Sequence, residues 1–263
     1  MAHQLIELKD ISKSFQREQT IIAALSPVNL AVRREEFVAF VGPSGCGKST
    51  ILNMVAGLLP PTTGQLSYDG APVRDLNRRV GYMTQKDTLL PWRNVADNIG
   101  APLELACHKT GKTGRMDKIR QMVELVGLKG FEKHFPGELS GGMRRRVALA
   151  RMLIYDPETL LMDEPFGALD AQLKLVMHDE IQRIVSLGHK TVLFVTHDLS
   201  EAIALADRVV VFSSRPGQIK IVRDIDLPRP RDVFRIRFSP RFTELHEELW
   251  DELKDEVKKG TDT

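Results

Sequence analysis

A glycine-rich loop between an apolar run and a helical pattern constrains this sequence more than any other feature. The run Phe37–Val41 is apolar on both faces, as in a central strand of a parallel sheet. Residues 42–49 then read GPSGCGKS, and apolar residues recur at helical spacing as far as Pro60. Glycines in such a loop let successive backbone N–H groups surround phosphate oxygens at the positive end of the following helix. The loop therefore predicts a nucleotide site, formed by Gly42, Pro43, Ser44, Gly45, Cys46, Gly47, Lys48, Ser49 and Thr50.

Two neighbouring carboxylates supply the other parts of a hydrolytic site. In a loop of this form, Lys48 meets the β- and γ-phosphates of ATP, and Ser49 offers its hydroxyl to Mg²⁺. A short apolar run ends at Asp163, which predicts a carboxylate for Mg²⁺ at the end of a neighbouring strand. Glu164 follows, and a carboxylate there can orient and polarise the water that attacks the γ-phosphorus. The alternative is that both acidic residues only cap a strand at the surface.

Two further polar residues follow strand-like runs, and each is ambiguous in isolation. His197 comes after the apolar run 192–195, at the sheet edge where the ligands of parallel sheets collect. Gln85 comes after the strand-like run 80–83. A histidine at a strand end is more often structural, and a solvated turn is the default environment for Gln85.

The order of the periodic segments predicts an α/β fold with an inserted helical part. Alternating apolar residues near the N-terminus indicate an antiparallel sheet. Between about residues 90 and 156 the strand signal fades and helical periodicity takes over, and a parallel sheet then resumes. We expect a nucleotide-binding domain at residues 1–225, followed by a linker and an amphipathic helix at 226–263.

Composition excludes several classes of partner. The 37 basic and 35 acidic residues give a formal net charge of +2, so no global field marks a nucleic-acid binder. The apolar runs are far shorter than the ~20 residues of a membrane-spanning helix. The first residues show no secretory pattern. We therefore expect a cytoplasmic protein without a transmembrane segment that binds no nucleic acid.

A second anion-binding helix start changes the interpretation. Residues 139–143 read LSGGM before a helical pattern, and a serine with two glycines at a helix start again suits an anion. One nucleotide should not need two such starts. Here residues 1–225 resemble the ATP-binding-cassette (ABC) ATPases, whose motifs occur in the family's order: the phosphate loop 42–49, Gln85 of the Q-loop, the signature 139–143, Asp163 with Glu164, the D-loop 168–170, and the switch His197.

The resemblance implies a dimer. In this family two ATPase subunits pair head to tail, so that each ATP lies between the phosphate loop of one subunit and the signature helix of the other. Ser140, Gly141 and Gly142 would then act on the partner's ATP, and Asp170 would cross the interface.

The resemblance also assigns roles within one subunit. Glu164 would be the catalytic base, His197 would contact the γ-phosphate, and Gln85 would lie near Mg²⁺ and the transporter interface. Phe15 falls where the family places an aromatic residue that stacks on adenine. Core packing is the equally weighted alternative for Phe15.

Residues 89–95 (LLPWRNV), the signature and the tail residues 227–231 (LPRPR) are similar to the importers of nitrate, sulfonates, taurine and related small anions. Two residues depart from the commonest family pattern. Met143 replaces a glutamine, and Arg145 stands where a glutamine is more often found. Because Ser140 and the glycines are intact, we expect hydrolysis to be kept and only contacts on the partner side to change.

Two surfaces outside the nucleotide site each have alternative interpretations. Residues 89–92 (LLPW) lie just after Gln85 and predict an apolar docking surface, unless Trp92 belongs to the core of the helical part. Apolar residues recur at helical spacing from Phe242 to Val257, so we expect an amphipathic helix that packs on the core or, alternatively, makes a dimer or regulatory contact. The preceding arginines are expected to form a solvated face or to pair with that helix: Arg229, Arg231, Arg235 and Arg237.

The leading hypothesis is the ATPase subunit of an importer, which uses ATP and Mg²⁺ as a homodimer or heterodimer. It would bind integral-membrane permease subunits at the cytoplasmic face of the inner membrane and act indirectly with a solute-binding protein. The alternatives are a soluble ABC ATPase of DNA repair or translation and a regulatory module without turnover. A single uninterrupted cassette of near-neutral charge disfavours the first, and intact Glu164 and His197 disfavour the second.

Overall fold

The computed structural model describes residues 4–17, 20–86, 88–105, 112–167 and 169–261. Short 3₁₀ helices lie at Pro136–Glu138 and Ile236–Phe238. Among the described helices, none combines the length and the apolar character that a membrane span requires. In chain order the elements are β1 (Gln4–Arg17), β2 (Thr20–Arg33), β3 (Phe37–Val41), α1 (Lys48–Val55), β4 (Thr63–Tyr68), β5 (Ala71–Pro72), β6 (Val80–Met83), α2 (Val95–Leu105), α3 (Lys112–Leu125), α4 (Gly141–Leu153), β7 (Thr159–Asp163), α5 (Ala171–Gly188), β8 (Thr191–Val195), α6 (Leu199–Leu205), β9 (Arg208–Phe212), β10 (Ile219–Asp224) and α7 (Pro240–Thr261).

Two sheets form the fold. The first is antiparallel, with the strand order β2-β1-β4-β5. The second has the order β10-β9-β3-β8-β7-β6, in which β9 to β6 are parallel and β10 is antiparallel at one edge. The predicted α/β fold, with a mostly parallel central sheet and an N-terminal antiparallel sheet, is confirmed. Because parallel strands share one carboxyl edge, the segments after β3, β6, β7 and β8 converge there.

The central strand β3 separates two apolar cores, which explains why its sequence is apolar on both faces. Phe37, Ala39 and Val41 pack with the helices on one side. Val38 and Phe40 pack with α1 and the antiparallel sheet on the other. Since successive side chains of a strand point to opposite faces, each core takes every second residue. The loop after β3 therefore starts from a strand that is held on both sides.

Helices α2, α3 and α4 lie between β6 and β7 in the chain and share an apolar interior. Ile99, Val123 and Val147, one from each helix, are buried there. The predicted helical insertion is thus present. Its last helix, α4, leads into β7, so the insertion is joined to the sheet beside the carboxylates at the end of that strand.

The tail helix α7 packs on the core of its own chain. Leu245 and Leu249 are fully buried, and Phe242 and Leu253 are nearly so. These residues share one apolar cluster with residues of α6 and β9. The amphipathic pattern of the tail is therefore accounted for by packing against these two elements.

Arg231, expected on a solvated face or in an ion pair, is buried against the end of α6. It is 4% exposed, and its guanidinium donates to the carbonyl oxygens of Ala206 (2.6 Å), Ile203 (3.2 Å) and Ile225 (3.2 Å). Burial lowers the pKa of this guanidinium to about 10. The expectation was wrong for Arg231 because linker composition does not reveal which side chain meets the unpaired carbonyls at a helix end.

Replacing Arg231 with methionine is expected to lower the free energy of unfolding by ~3 kcal/mol or more, because several buried carbonyls would lose a donor. Urea unfolding followed by circular dichroism measures the change. Arg235→Met is the matched control, since the Arg235 side chain is 88% exposed and its loss should cost less than ~0.5 kcal/mol. Equal stability of the two variants would contradict the structural role of Arg231.

Candidate active site

The glycine-rich loop joins the end of β3 to the start of α1. Gly42, Gly45 and Gly47 have φ angles of 153°, 76° and 100°, a range that other residues rarely adopt. A Cβ atom at Gly42 would lie 2.8 Å from the carbonyl oxygen of Phe212. The backbone thus turns tightly before α1, whose first N–H groups have no partner within the helix. An anion is the ligand that this arrangement favours.

Lys48 places a positive charge inside this loop. Its side chain is largely buried, and its ammonium group donates to the carbonyl oxygens of Gly42 and Pro43, both at 2.7 Å. Lys48 Nζ also lies 3.5 Å from Cys46 Sγ. Because these loop partners are neutral, an anion bound beside the ammonium group would add a charge-assisted hydrogen bond.

A cavity of about 190 Å³ brings most of the predicted residues together. Gln85 and Glu164 line it together with Ser44, Gly45, Gly47, Lys48, Ser49 and Thr50. A second cavity, of about 530 Å³, also includes Ser44 and is lined by Gly42, Pro43 and His197. The structure thus gathers the phosphate loop, the Q-loop glutamine and the predicted base around one space, with the switch histidine beside it.

Glu164 stands directly after β7, where the backbone turns sharply. Its φ angle is 47°, which is uncommon for a residue other than glycine, and its N–H donates to the Val195 carbonyl at 2.9 Å. Its carboxylate lies 3.4 Å from Gln85 Nε2 and 3.5 Å from His197 Nδ1. Two other segments, those after β6 and β8, therefore converge on this carboxylate. Unusual backbone conformations of this kind persist only where the surroundings hold them, and they are frequent at functional sites.

Asp163 is the last residue of β7 and is 4% exposed. Burial raises the pKa of its carboxyl, as does the charge of Glu164, although a hydrogen bond with Ser49 and nearby positive charges oppose the shift. The Ser49 hydroxyl and the Asp163 carboxylate are therefore adjacent, and their oxygen atoms could serve a cation. In ATPases Mg²⁺ is usually held by one or two carboxylates together with substrate phosphates. This donor set fits Mg²⁺, and Gln85 can add an oxygen from the cavity.

His197 is held by its two neighbours in the chain. The Thr196 hydroxyl donates to the buried carboxylate of Glu201 at 2.7 Å, and Asp198 caps the start of α6. Burial opposes ionisation of Glu201, but interactions with His178 and Thr196 prevail and lower its pKa to about 2. The backbone at His197 is thus held by its two neighbours, while the His197 side chain is 65% exposed.

The signature residues stand apart from the phosphate loop of their own chain. Ser140 caps α4, and its hydroxyl accepts a hydrogen bond from the Met143 N–H at 3.2 Å. Gly141 and Gly142 form the first turn of the helix. In the described part of the chain, none of these residues lines either cavity at the loop. Within its own chain, this helix start is therefore separate from the glycine-rich loop.

Asp170 has a local role in its own chain. It caps α5, where its carboxylate accepts from the Leu173 N–H at 2.9 Å. Asp170 lines neither cavity described at the loop. Ala168, from the same D-loop motif, lies outside the described residues. The crossing of an interface by Asp170 stays a prediction.

Phe15, on β1, does not belong to the buried core. Its ring is 40% exposed, and the Lys13 ammonium nitrogen lies 5.4 Å from the ring centroid, within the range of a cation–π contact. Core packing, the alternative for Phe15, is therefore not observed. Stacking of adenine on this ring stays a prediction.

Arg145 makes contacts that the sequence did not predict. We expected it to alter contacts on the partner side, but it is buried in its own subunit and donates to the carbonyl oxygens of Thr84 (2.7 Å) and Gln85. The sequence did not reveal these contacts within one chain, because tertiary packing decides which side of α4 meets the turn after β6; a change of contacts on the partner side stays a prediction. The sequence showed a basic residue three positions after Gly142, but it did not indicate which segment that side chain contacts.

Trp92 is 72% exposed, whereas Leu89 packs against the core. The turn between them is held by Asn98, which is fully buried. The Asn98 amide accepts from the Leu90 N–H at 2.8 Å and donates to the carbonyls of Leu90 (3.1 Å) and Arg93 (2.8 Å). The core alternative is therefore wrong for Trp92. An exposed aromatic ring on a fixed turn is typical of a docking surface.

The geometry defines a class of protein. A phosphate loop with a buried lysine, a hydroxyl and a carboxylate suited to Mg²⁺, and a second carboxylate that can accept the proton of water are the parts of a nucleoside triphosphatase. The ABC transporter family profile matches residues 25–167, and this chain belongs to that family. It is an ATPase of the ABC type.

Two proteins whose names state a function are similar to this chain in sequence. The aliphatic sulfonates import ATP-binding protein SsuB of Bacillus cereus is 41% identical over 226 residues, which cover 86% of this chain and 88% of SsuB. The nitrate import ATP-binding protein NrtC of Synechococcus elongatus is 40% identical over 82% of this chain and 33% of NrtC. A solved dimer of the ATP-binding cassette MJ0796, in a post-hydrolysis state with ADP and Pi, matches with a TM-score of 0.79 at 30% identity and covers 85% of this chain and 100% of that one.

Proposed function

We propose that this chain is the ATP-hydrolysing subunit of an importer, with the ATPase domain at residues 1–225 and an accessory linker and helix at 226–263. The observation that carries the proposal is the cavity where Lys48, Gln85 and Glu164 meet the glycine-rich loop. Import is supported by the names of two relatives, which assign them to the import of sulfonates and of nitrate.

The phosphate loop binds the triphosphate of ATP. Backbone N–H groups of residues 42–49 and the Lys48 ammonium hold the β- and γ-phosphates. Ser49, Asp163 and Gln85 would hold Mg²⁺, and the ion would supply positive charge against the phosphate oxygens. Phe15 stacks on the adenine ring.

Hydrolysis uses Glu164 as the general base. Its carboxylate accepts a proton from water while the water oxygen attacks the γ-phosphorus and the bond to the β-phosphate oxygen breaks. Gln85 and His197, each about 3.5 Å or less from that carboxylate, hold the water and the γ-phosphate in line.

A second ATPase subunit, identical or different, completes the site. Ser140, Gly141 and Gly142 present backbone N–H groups at the start of α4, but they lie outside the cavity of their own loop. The partner's ATP is the anion that this helix start binds, and Asp170 crosses the same interface. The dimeric state of the MJ0796 relative supports the pairing.

Residues 89–92 dock integral-membrane permease subunits. The Trp92 ring is exposed on a turn that Asn98 fixes, and Gln85 precedes it closely in the chain. A change at the nucleotide can therefore reach the docking surface through a short segment. The subunit acts peripherally at the cytoplasmic face of the membrane, and a solute-binding protein delivers a small anion of the sulfonate or nitrate kind, by analogy with SsuB and NrtC.

Co-purification of permease subunits from the native host tests the docking proposal. Trp92→Ala is expected to reduce permease recovery at least ~10-fold and to leave ATP binding intact, because an aromatic anchor of an interface contributes ~2 kcal/mol or more. Phe238→Ala is the matched control, since Phe238 is another exposed aromatic residue, 84% exposed, and lines neither cavity at the phosphate loop.

Equal permease recovery with the unaltered chain and with Trp92→Ala would contradict the docking proposal. ATP turnover stimulated by DNA in the absence of any permease would instead support a soluble ABC ATPase of DNA repair or translation.

A further inference from the structure

We propose that Arg145 is a positioning residue for ATP hydrolysis, which ties the backbone of Thr84 and Gln85 to the signature helix α4. The inference deepens the proposed function and rests on its placement of Gln85 and Glu164 at the γ-phosphate. It concerns a residue at which this sequence departs from the commonest family pattern.

The guanidinium of Arg145 reaches two segments of the site. Its Nη1 donates to the Thr84 carbonyl at 2.7 Å, and its Nη2 donates to the Gln85 carbonyl. The same Nη2 lies 3.5 Å from the carbonyl oxygen of Glu164. One side chain thus bridges α4, the turn after β6 and the residue after β7.

Arginine suits this position better than the residues that could replace it. The residue is 8% exposed, and its planar group carries five N–H donors in a fixed fork, so it can serve carbonyls on two segments. Glutamine is shorter and has one NH₂ group, and methionine has no donor. Lysine keeps the charge and three donors but lacks the planar fork.

Arg145 holds the backbone of Gln85, and that backbone orients the Gln85 side-chain amide toward Glu164. Gln85 points its Nε2 at Glu164 Oε2, 3.4 Å away. Without the guanidinium, the turn at Thr84 and Gln85 loses these donors, and the alignment of Gln85 with Glu164 loosens. Lys48 is bonded to carbonyls within the phosphate loop, so the loop is held independently. The expected loss is in the hydrolytic step and not in ATP binding.

Arg145 also connects the two halves of the composite site. Helix α4 begins at Gly141, so its first turn carries the signature that faces the partner's ATP. Arg145 on the same helix holds Gln85 beside the ATP of its own subunit. A displacement of α4 carries the turn at Gln85 with it. Engagement of the signature on one side thereby changes the alignment for hydrolysis on the other.

The experiment compares the full-length chain with Arg145→Gln, Arg145→Met, Arg145→Lys and Arg146→Gln. Steady-state hydrolysis gives kcat and KM, a fluorescent ATP analogue with Mg²⁺ gives the affinity, and thermal unfolding gives Tm. Arg146 is the matched control because it is the next residue on the same helix. Its guanidinium also donates to backbone carbonyls, but to those of Val126 (2.9 Å) and Gly127 (2.8 Å) in the helical insertion.

Arg145→Gln and Arg145→Met are expected to lower kcat about 10- to 100-fold while the ATP affinity changes less than about 3-fold. Arg145→Lys should give an intermediate kcat, roughly 3-fold below that of the unaltered chain. Arg146→Gln should lower Tm by several degrees and leave the kcat of the folded protein close to that of the unaltered chain.

Full kcat in Arg145→Gln and Arg145→Met overturns the inference, and so does a loss of kcat that only follows a loss of Tm shared with Arg146→Gln. If the glutamine and methionine variants do not fold, Arg145→Lys decides: a reduced kcat at unchanged affinity supports the inference, and full kcat overturns it. A fully active Glu164→Gln variant would instead show that the proposed function is wrong. An inactive Glu164→Gln variant beside fully active Arg145 variants would show that only this inference is wrong.

Discussion

Glu164→Gln is expected to lower the rate of ATP hydrolysis at least ~100-fold and to leave ATP binding intact, because an amide cannot accept the proton of the attacking water. The substitution keeps the size of the side chain and can keep its contacts with Gln85 and His197. In the proposed site, the phosphate contacts come from the glycine-rich loop and do not involve Glu164. The bound ATP should therefore persist.

The measurement combines phosphate release with size exclusion in the presence of ATP and Mg²⁺. The Glu164→Gln variant should elute as a dimer that retains ATP, whereas the unaltered chain should return to monomers as it hydrolyses ATP. Glu124→Gln is the control, since that carboxylate is about half exposed on α3, far along the chain from the site motifs. Unchanged hydrolysis in Glu164→Gln would show that this carboxylate is not the base.

Lys48→Met is expected to weaken ATP binding about 30-fold or more, because loss of one partner of a buried, charge-assisted contact costs ~2–5 kcal/mol. The ammonium group sits within the loop, 2.7 Å from the carbonyl oxygens of Gly42 and Pro43. Methionine fills much of the same space but brings no charge to the phosphates. Hydrolysis should be lost together with binding.

Titration calorimetry with ATP and Mg²⁺ measures the affinity, and Tm reports whether the loop region still folds. Lys129→Met is the control, since that side chain is 80% exposed. If Lys48→Met bound ATP as tightly as Lys129→Met, the phosphates would have to lie elsewhere.

The phosphate loop could be predicted from the sequence because its parts are consecutive. Residues 42–50 need only a strand before them and a helix after them, and both are visible as periodic patterns. Asp163 and Glu164 were also within reach, because an apolar run that ends in carboxylates places them at the carboxyl edge of a parallel sheet. The convergence of Gln85 and His197 on Glu164 follows from the same edge, once the strand order is known.

Three residues that the sequence did not single out for structural roles bind backbone carbonyls outside their own helix or turn. Arg145 holds Gln85, Asn98 holds the turn at Leu90, and Arg231 closes the end of α6. No motif marks such contacts, because the acceptor is a carbonyl group that every residue carries. Only the tertiary arrangement decides which polar side chain reaches a carbonyl without a helical or strand partner.

The solvent exposure of particular side chains decides between a core position and a surface position where the sequence pattern allowed both. Trp92 and Phe15 are single aromatic residues, and the sequence around each is compatible both with a core position and with a binding surface. In the fold both rings are exposed, while the apolar face of α7 is buried. Burial of an amphipathic helix can be predicted because apolar residues recur along one face of it, whereas a single aromatic residue has no such pattern.

The proposed ATP site is complete only when two chains pair, and a mixing experiment tests this requirement. One variant carries Lys48→Met and the other Gly141→Asp, both with Glu164→Gln to prevent turnover. An aspartate in the first turn of α4 suits the helix, so folding is kept, but its charge repels the partner's γ-phosphate. Each variant alone lacks one half of every composite site.

Neither variant alone is expected to form an ATP-bound dimer, whereas an equal mixture should form one that retains a single ATP per pair. That ATP would lie between the phosphate loop of the Gly141→Asp chain and the signature of the Lys48→Met chain. A mixture that stays monomeric, or an ATP-bound dimer of the Lys48→Met variant alone, would contradict the composite site.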